Sequence, residues 1–122
     1  MALDLRDRSQ VEKMIHFTHE QFQRIDVLIN NAGFGYWGTV AETPPSVVRE
    51  IFDLNFEAPF LASQLVIPIM TAQGGGHIIN ISSGAGKMGM LNMAAYCGSK
   101  FAMNGFSESL YHELKPLGID VS

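Results

Sequence analysis

Four short groups of residues in this 122-residue chain combine types and spacings that can do chemistry. The first is Tyr96-Cys97-Gly98-Ser99-Lys100. Residues four apart on a helix share a face, so a helical Tyr96 and Lys100 lie side by side. A free tyrosine ionises near pH ~10, and a nearby ammonium favours the phenolate. Such a pair can trade a proton near neutrality; the plainer reading is a surface Tyr-Lys pair with no task. The second group is Ser82-Ser83, which follows the apolar run Ile78 to Ile81 and precedes Tyr96 by thirteen positions in the case of Ser83. The third, Asn30-Asn31-Ala32-Gly33, ends another apolar run with residues that can tie neighbouring loops and let a ligand approach the backbone. The fourth is Asn55, a poor residue for a helix interior. Pro59, four residues on, has no N–H for the Asn55 carbonyl, which is then able to hold a water. For these three the plainer readings are two strand-ending turns and a kinked helix with a solvent-facing asparagine.

The elements that must position these groups alternate along the chain. Leu3 to Leu5 reads as the end of a strand. Ser9 to Gln23 reads as a helix with Val11, Met14, Ile15, Thr18 and Phe22 on one stripe. Asp7 or Ser9 can cap it, with Glu12 completing a capping box. Asp26 to Asn31 suits a strand covered on both faces, and Phe34 to Pro45 is a loop rich in glycine and aromatics. Thr43 caps a long helix with Pro44 at its first position, extending past Pro59 toward Met70 until Gly74-Gly75-Gly76 stops it. His77 to Ser82 is the next buried strand. Ala94 to Leu114 is a second long helix, with Met103, Phe106, Leu110 and Leu114 on one stripe. Gly118 follows it, and Ile119 begins a last strand. Alternation of this kind points to an α/β domain with a parallel sheet. In such sheets ligands sit at the C-terminal ends of the strands, where Gly33 and Ser83 fall.

Composition narrows the class. Hydrophobic residues make up 47% of the chain and charged residues 16%, too apolar for a disordered chain. Lys and Arg number 8 against 12 Asp and Glu, with no basic block, so a nucleic-acid partner held by charge is not expected. Cys97, the single cysteine, excludes an internal disulfide framework and suits a reducing compartment. No apolar run approaches a membrane span or a signal peptide, so the expected address is the cytoplasm. Some look-alikes fail on context. Gly33 to Gly38 matches G-x-G-x-x-G, with Asp53 twenty residues on, but the dinucleotide fingerprint needs a helix opening within the glycines. His16, His19 and Glu20 follow neither zincin order, and no metal site is expected. No G-x-S-x-G surrounds Ser83, so a hydrolase elbow is unsupported.

Taken together, Asn30-Asn31-Ala32-Gly33, Asp53-Leu54-Asn55, Ile79-Asn80-Ile81-Ser82-Ser83 and Tyr96-Cys97-Gly98-Ser99-Lys100, in this order and spacing, resemble the short-chain dehydrogenase/reductase family from end to end of the chain. The resemblance implies a partial Rossmann-like, doubly wound parallel sheet. It also implies an oxidoreductase that moves a hydride between NAD or NADP and a small carbonyl or alcohol substrate. Tyr96 resembles the family's general acid and base. Lys100 resembles the lysine that lowers the tyrosine pKa and binds the nicotinamide ribose. Ser83 resembles the hydroxyl that holds the substrate oxygen, and Asn55 the asparagine whose carbonyl anchors a relay water. Asn30, Asn31, Ala32 and Gly33 resemble the stretch beside the cofactor, and Asp4 and Leu5 the pair that flanks the adenine. Phe34, Tyr36 and Trp37 on one loop, and Met88, Met90, Leu91 and Met93 on another, are expected walls for an apolar substrate.

The pattern departs from the family at both ends. The first strand, the glycine-rich phosphate loop and the second strand are absent, as is the proline-glycine segment after the last strand. Residues 1–122 are therefore expected to be a single partial NAD(P)-binding domain, a fragment holding the catalytic centre. In the family, the helices matching Thr43–Met70 and Ala94–Leu114 pack across a dimer interface, which implies a homodimer or homotetramer. The alternative expectation is a truncated, non-catalytic domain that serves as an association module.

Overall fold

The computed structural model describes residues 2–122. In chain order it has helix α1 (Arg8–Phe22), strand β1 (Val27–Asn30), helix α2 (Pro45–Phe52), a π-helical turn (Asp53–Glu57), helix α3 (Ala58–Ala72), strand β2 (Gly76–Asn80), helix α4 (Ala94–Leu114) and strand β3 (Ile119–Val121). The strands form one parallel sheet in the order β1-β2-β3, with Leu28 opposite Ile78 and Ile78 opposite Val121. A helical crossover joins each parallel pair, as parallel pairing requires.

Local chemistry explains the element ends. Asp7 caps α1, its Oδ1 accepting the Ser9 N–H at 2.8 Å. Glu12 forms no capping box; it takes Arg8 Nε at 3.0 Å instead. Phe22 leaves the expected buried stripe and is 69% exposed. It is the last residue of α1, just before Gln23 turns the chain at φ 58°. Thr43 does not cap α2. Pro44 is the cap and Pro45 the first helical residue, with no side-chain cap bond. The cap position falls one residue beyond Thr43, on Pro44, whose ring has no oxygen to accept a helical N–H, and Thr43 Oγ1 instead donates to the Thr39 carbonyl at 2.7 Å. Helical structure continues past Pro59 to Ala72, as the periodicity implies, but through a π turn in which the Ala58 N–H reaches back to Asp53. Pro59 cannot close the four-residue bond to Asn55, and the wider turn accommodates that missing bond.

The core explains what is covered. Val11 and Ile15 of α1, Ala62, Val66 and Met70 of α3, and Leu110 and Leu114 of α4 close over Leu28, Ile78 and Ile119. Those strand residues share one face, because side chains alternate along a strand. The other face carries Val27 and Ile29, 49% and 58% exposed. Within residues 2–122 the expected cover of β1 on both faces is met on one: α1, α3 and α4 share one core on that side of the sheet. Leu3 to Leu5 is not a strand either. It gains no ladder partner; the chain turns through a bond from the Asp7 N–H to the Asp4 carbonyl, and Leu5 packs against the core. Among the described residues no helix is long and apolar enough to cross a membrane. Nor do three or more His, Cys, Asp or Glu side chains gather as metal ligands there.

Candidate active site

The first two turns of α4 carry Tyr96 and Lys100 to the edge where β1 and β2 end. Lys100 is only 5% exposed. Its Nζ lies 5.8 Å from the centre of the Tyr96 ring and donates to the Ile81 carbonyl at 2.8 Å. An ammonium has three N–H bonds, so two are left for other acceptors. The i, i+4 spacing thus makes the juxtaposition expected from the sequence, and burial of the lysine stem fixes it.

The loop after β1 lies directly against this pair. A Cβ on Gly33 would sit 3.0 Å from Asn55 Oδ1 and 3.8 Å from Lys100 Nζ. One on Gly35 would sit 3.2 Å from the Tyr96 ring. Asn55 is fully buried and ties the loop down at both backbone polarities. Its Oδ1 accepts the Phe34 N–H at 3.0 Å, and its Nδ2 donates to the Phe34 carbonyl at 2.8 Å and to Ser99 Oγ at 3.0 Å. A buried amide so fully satisfied is a rigid bracket. The sequence pointed to the backbone carbonyl of Asn55; the structure shows in addition that its side chain joins the loop to α4.

Ser83 starts the 3-10 turn Gly84–Gly86, and its Oγ accepts the Ala85 N–H at 3.2 Å. That bond occupies an acceptor position and leaves the hydroxyl proton to donate elsewhere. Asn31, Ala32 and Gly33 are exposed at the same edge. Asn30 does not join them. Its Nδ2 donates to Asn80 Oδ1 at 2.8 Å and to Ser63 Oγ at 3.3 Å, tying β1 to β2 and α3. Asp4 and Leu5 line a groove of about 410 Å³ with Ala32, Phe34 and Leu54. Both Asp4 carboxylate oxygens are engaged by the Arg6 guanidinium, which lowers the Asp4 pKa to about 2. The two loops that the sequence offered as walls meet through a bond from the Gly38 N–H to the Asn92 carbonyl at 2.8 Å. Trp37 and Leu91 flank that bond and are exposed.

Sequence reasoning missed three partners: Ser99, the Phe34 backbone and the Ile81 carbonyl. Ser99 had a faint signal, a small polar residue one position before Lys100. The two backbone groups carry no signal of residue type, since every residue has them.

Comparisons with known proteins fit this geometry. The family model described as short chain dehydrogenase matches residues 1–122. The chain is 39% identical to a dehydrogenase/reductase SDR family member 7B of Xenopus tropicalis, over all of this chain and 40% of that protein. It is 41% identical to a 3alpha-hydroxysteroid dehydrogenase of Mediterraneibacter gnavus, over 90% of this chain and 44% of that protein. Among solved structures, a metagenomic short-chain oxidoreductase in complex with NADP superposes with a TM-score of 0.96 at 36% identity, covering 100% of this chain and 56% of that one. A short-chain dehydrogenase from Streptomyces avermitilis superposes at 0.95 with 32% identity, covering 99% and 44%. The chain spans less than half the length of these curated relatives. A match that runs its full length, over a fold that superposes so closely, places it in the short-chain dehydrogenase family.

Proposed function

We propose that residues 1–122 form a single partial NAD(P)-binding domain carrying the catalytic centre of an oxidoreductase, which transfers hydride between NAD(H) or NADP(H) and a carbonyl or alcohol. The observation that carries this reading is the close packing of the Gly33–Gly35 backbone on Asn55, Tyr96 and Lys100. The residues present fit one part of such a cofactor. Gly33 leaves bare backbone beside the buried Lys100 ammonium, which has donors to spare, and the groove beside Asp4 and Leu5 is lined by Leu3, Ala32, Phe34 and Leu54 together with the Asp4–Arg6 ion pair. The relative solved with NADP supports the same assignment. The nicotinamide supplies the hydride when bound.

The chain's own residues do the rest. Tyr96 gives its phenolic proton to the substrate oxygen in reduction and takes it back in oxidation. Ser83, whose acceptor side is held by Ala85, donates its hydroxyl to the same oxygen. Two donors aimed at one oxygen stabilise it as negative charge develops. Lys100 places a cation beside the ring and offers its free N–H bonds to ribose hydroxyls. Asn55 holds the loop against Tyr96 through its amide and, through its backbone carbonyl, anchors a relay water. Asn31, Ala32 and Gly33 border the cofactor, and Asn30 fixes the strand end that presents them. The exposed Trp37, Met88, Met90 and Leu91 favour an uncharged, apolar substrate.

A titration tests the assignment. Trp37 is the only tryptophan, so saturable quenching of its fluorescence by NADPH or NADH reports binding. Turnover of an uncharged ketone that vanishes in Y96F then assigns the proton donor. Binding with unchanged turnover in Y96F removes Tyr96 from its role.

One observation favours a second reading, an association module. Phe56, Phe60 and Phe106 cluster with ring centres 5.1 to 6.1 Å apart. They line a cavity of about 540 Å³ between α3 and α4, with Phe60 46% exposed. Under this reading the chain forms a homodimer or homotetramer through that groove and quenches no Trp37 emission with either dinucleotide.

A further inference from the structure

The chain between β2 and α4 has to present Ser83 to the place where Tyr96 acts, yet it is irregular and glycine-rich. α4 grips the stretch around Ser83 from both sides, in addition to the Cys97 Sγ that accepts the Met90 N–H further along at 3.3 Å. Lys100 donates to the carbonyl of Ile81, two residues before Ser83, at 2.8 Å. Asn104 Nδ2 donates to the carbonyl of Gly86, three residues after Ser83, at 2.8 Å. Tyr96, Lys100 and Asn104 stand at i, i+4 and i+8, which is one stripe of the helix. The stripe therefore holds a proton-transfer phenol and the two anchors that straddle Ser83.

The second anchor is tightly built. A Cβ on Gly86 would lie 2.7 Å from Asn104 Nδ2, 2.8 Å from Ser82 Oγ and 2.9 Å from the Lys100 carbonyl. Only a glycine backbone approaches α4 that closely, so Asn104 can reach the Gly86 carbonyl directly. Ser82 Oγ is buried in this contact and has no hydrogen-bond partner. An unpartnered buried hydroxyl costs stability, so the turn stays seated because other bonds hold it. Those are the Asn104 bond and the bonds internal to the turn, from Ala85 N–H to Ser83 Oγ and from Gly86 N–H to the Ser83 carbonyl.

We propose that Asn104 is a positioning residue for Ser83: by holding the Gly86 carbonyl it fixes the Ser83 hydroxyl in register with Tyr96 on the same helix. Asn104 has no part in the proton transfer itself. The role rests on the assignment of Ser83 above, and its test is built so that either can fail alone.

The test uses the full chain as wild type, N104L, which keeps the side-chain volume without the donor, and N104Q, which keeps the donor. Amide hydrogen exchange is the first readout. N104L raises exchange at Ala85, Gly86 and Lys87 by about tenfold, the loss of one net hydrogen bond, while β1 and α1 keep their protection. N104Q restores part of that protection. Exchange unchanged in N104L, or raised equally throughout the sheet, overturns the proposal. The second readout is turnover of an uncharged aromatic ketone with NADPH. N104L lowers kcat by about tenfold with KM little changed, and it adds nothing in an S83A background, because coupled residues are not additive. Full additivity of the two changes overturns the positioning role even where exchange responds. If the wild type shows no turnover, the exchange result decides whether Asn104 fixes the turn: unchanged exchange in N104L overturns the positioning role.

Discussion

Asn55 and Phe56 are neighbours in one π-helical turn, yet they serve opposite kinds of region. Asn55 points its amide into a polar bracket in which each atom has a named partner. Phe56 joins Phe60 and Phe106 in an aromatic groove held by area and shape alone. In the first region, one missing group leaves another buried group unpaired. In the second, a lost ring leaves space that neighbours and solvent share. The residues proposed to do chemistry thus lie where each bond has a specific partner, and the surface that can tolerate repacking lies on the other side of the same turn.

The comparison can be broken or sharpened by substitution. The largest effect is expected at the phenol proposed to carry the proton. Y96F, measured by steady-state turnover in a preparation that binds dinucleotide, loses roughly 10²–10⁴-fold in rate, the usual worth of a positioned acid or base. Its circular dichroism is unchanged.

On stability, N55A is expected to cost about 2–4 kcal/mol in urea unfolding, because it strands the Phe34 backbone groups and the Ser99 hydroxyl. It also speeds amide exchange at Phe34. F106A, in a half-buried groove, costs about 1–2 kcal/mol, below the range for a fully buried ring. Equal losses in the two variants erase the contrast between bracket and groove. F106E sharpens it: sedimentation that shifts to monomer, with Trp37 quenching intact, assigns the groove to association and the bracket to the reaction.

The smallest effect lies at Asp4. Arg6 lowers its pKa from 3.8 to about 2. The ionised form is the one held in the folded chain, so its contribution is complete above pH 3.8 and is lost as the pH falls toward about 2. The pair is exposed and screened by solvent, so D4N changes only the acid limb of the stability profile, and a salt titration weakens even that.

Much of this arrangement is legible in the sequence. Tyr96 and Lys100 meet because a helix fixes what lies four residues away, and the parallel α/β class follows from alternating apolar runs and helical periods. Proline at 59 marked a distorted helix, whereas glycine at 33, read as room for a ligand, packs against Asn55 and Lys100. The errors share a cause. Thr43 as a cap, Leu3 to Leu5 as a strand and Phe22 on the buried stripe are all local patterns that tertiary neighbours either supplied or withheld.

The sequence by itself determined which groups are able to react and which share a helix face, because those facts depend on residue type and short-range geometry. Only the tertiary structure decided that Asn30 ties β1 to β2 and α3. It also decided that Asn55 brackets a loop 21 residues away and a helix 44 residues away. Such contacts are chosen by how helices stack on the sheet, and no local period in the chain records which distant backbone group will come within reach of a buried amide.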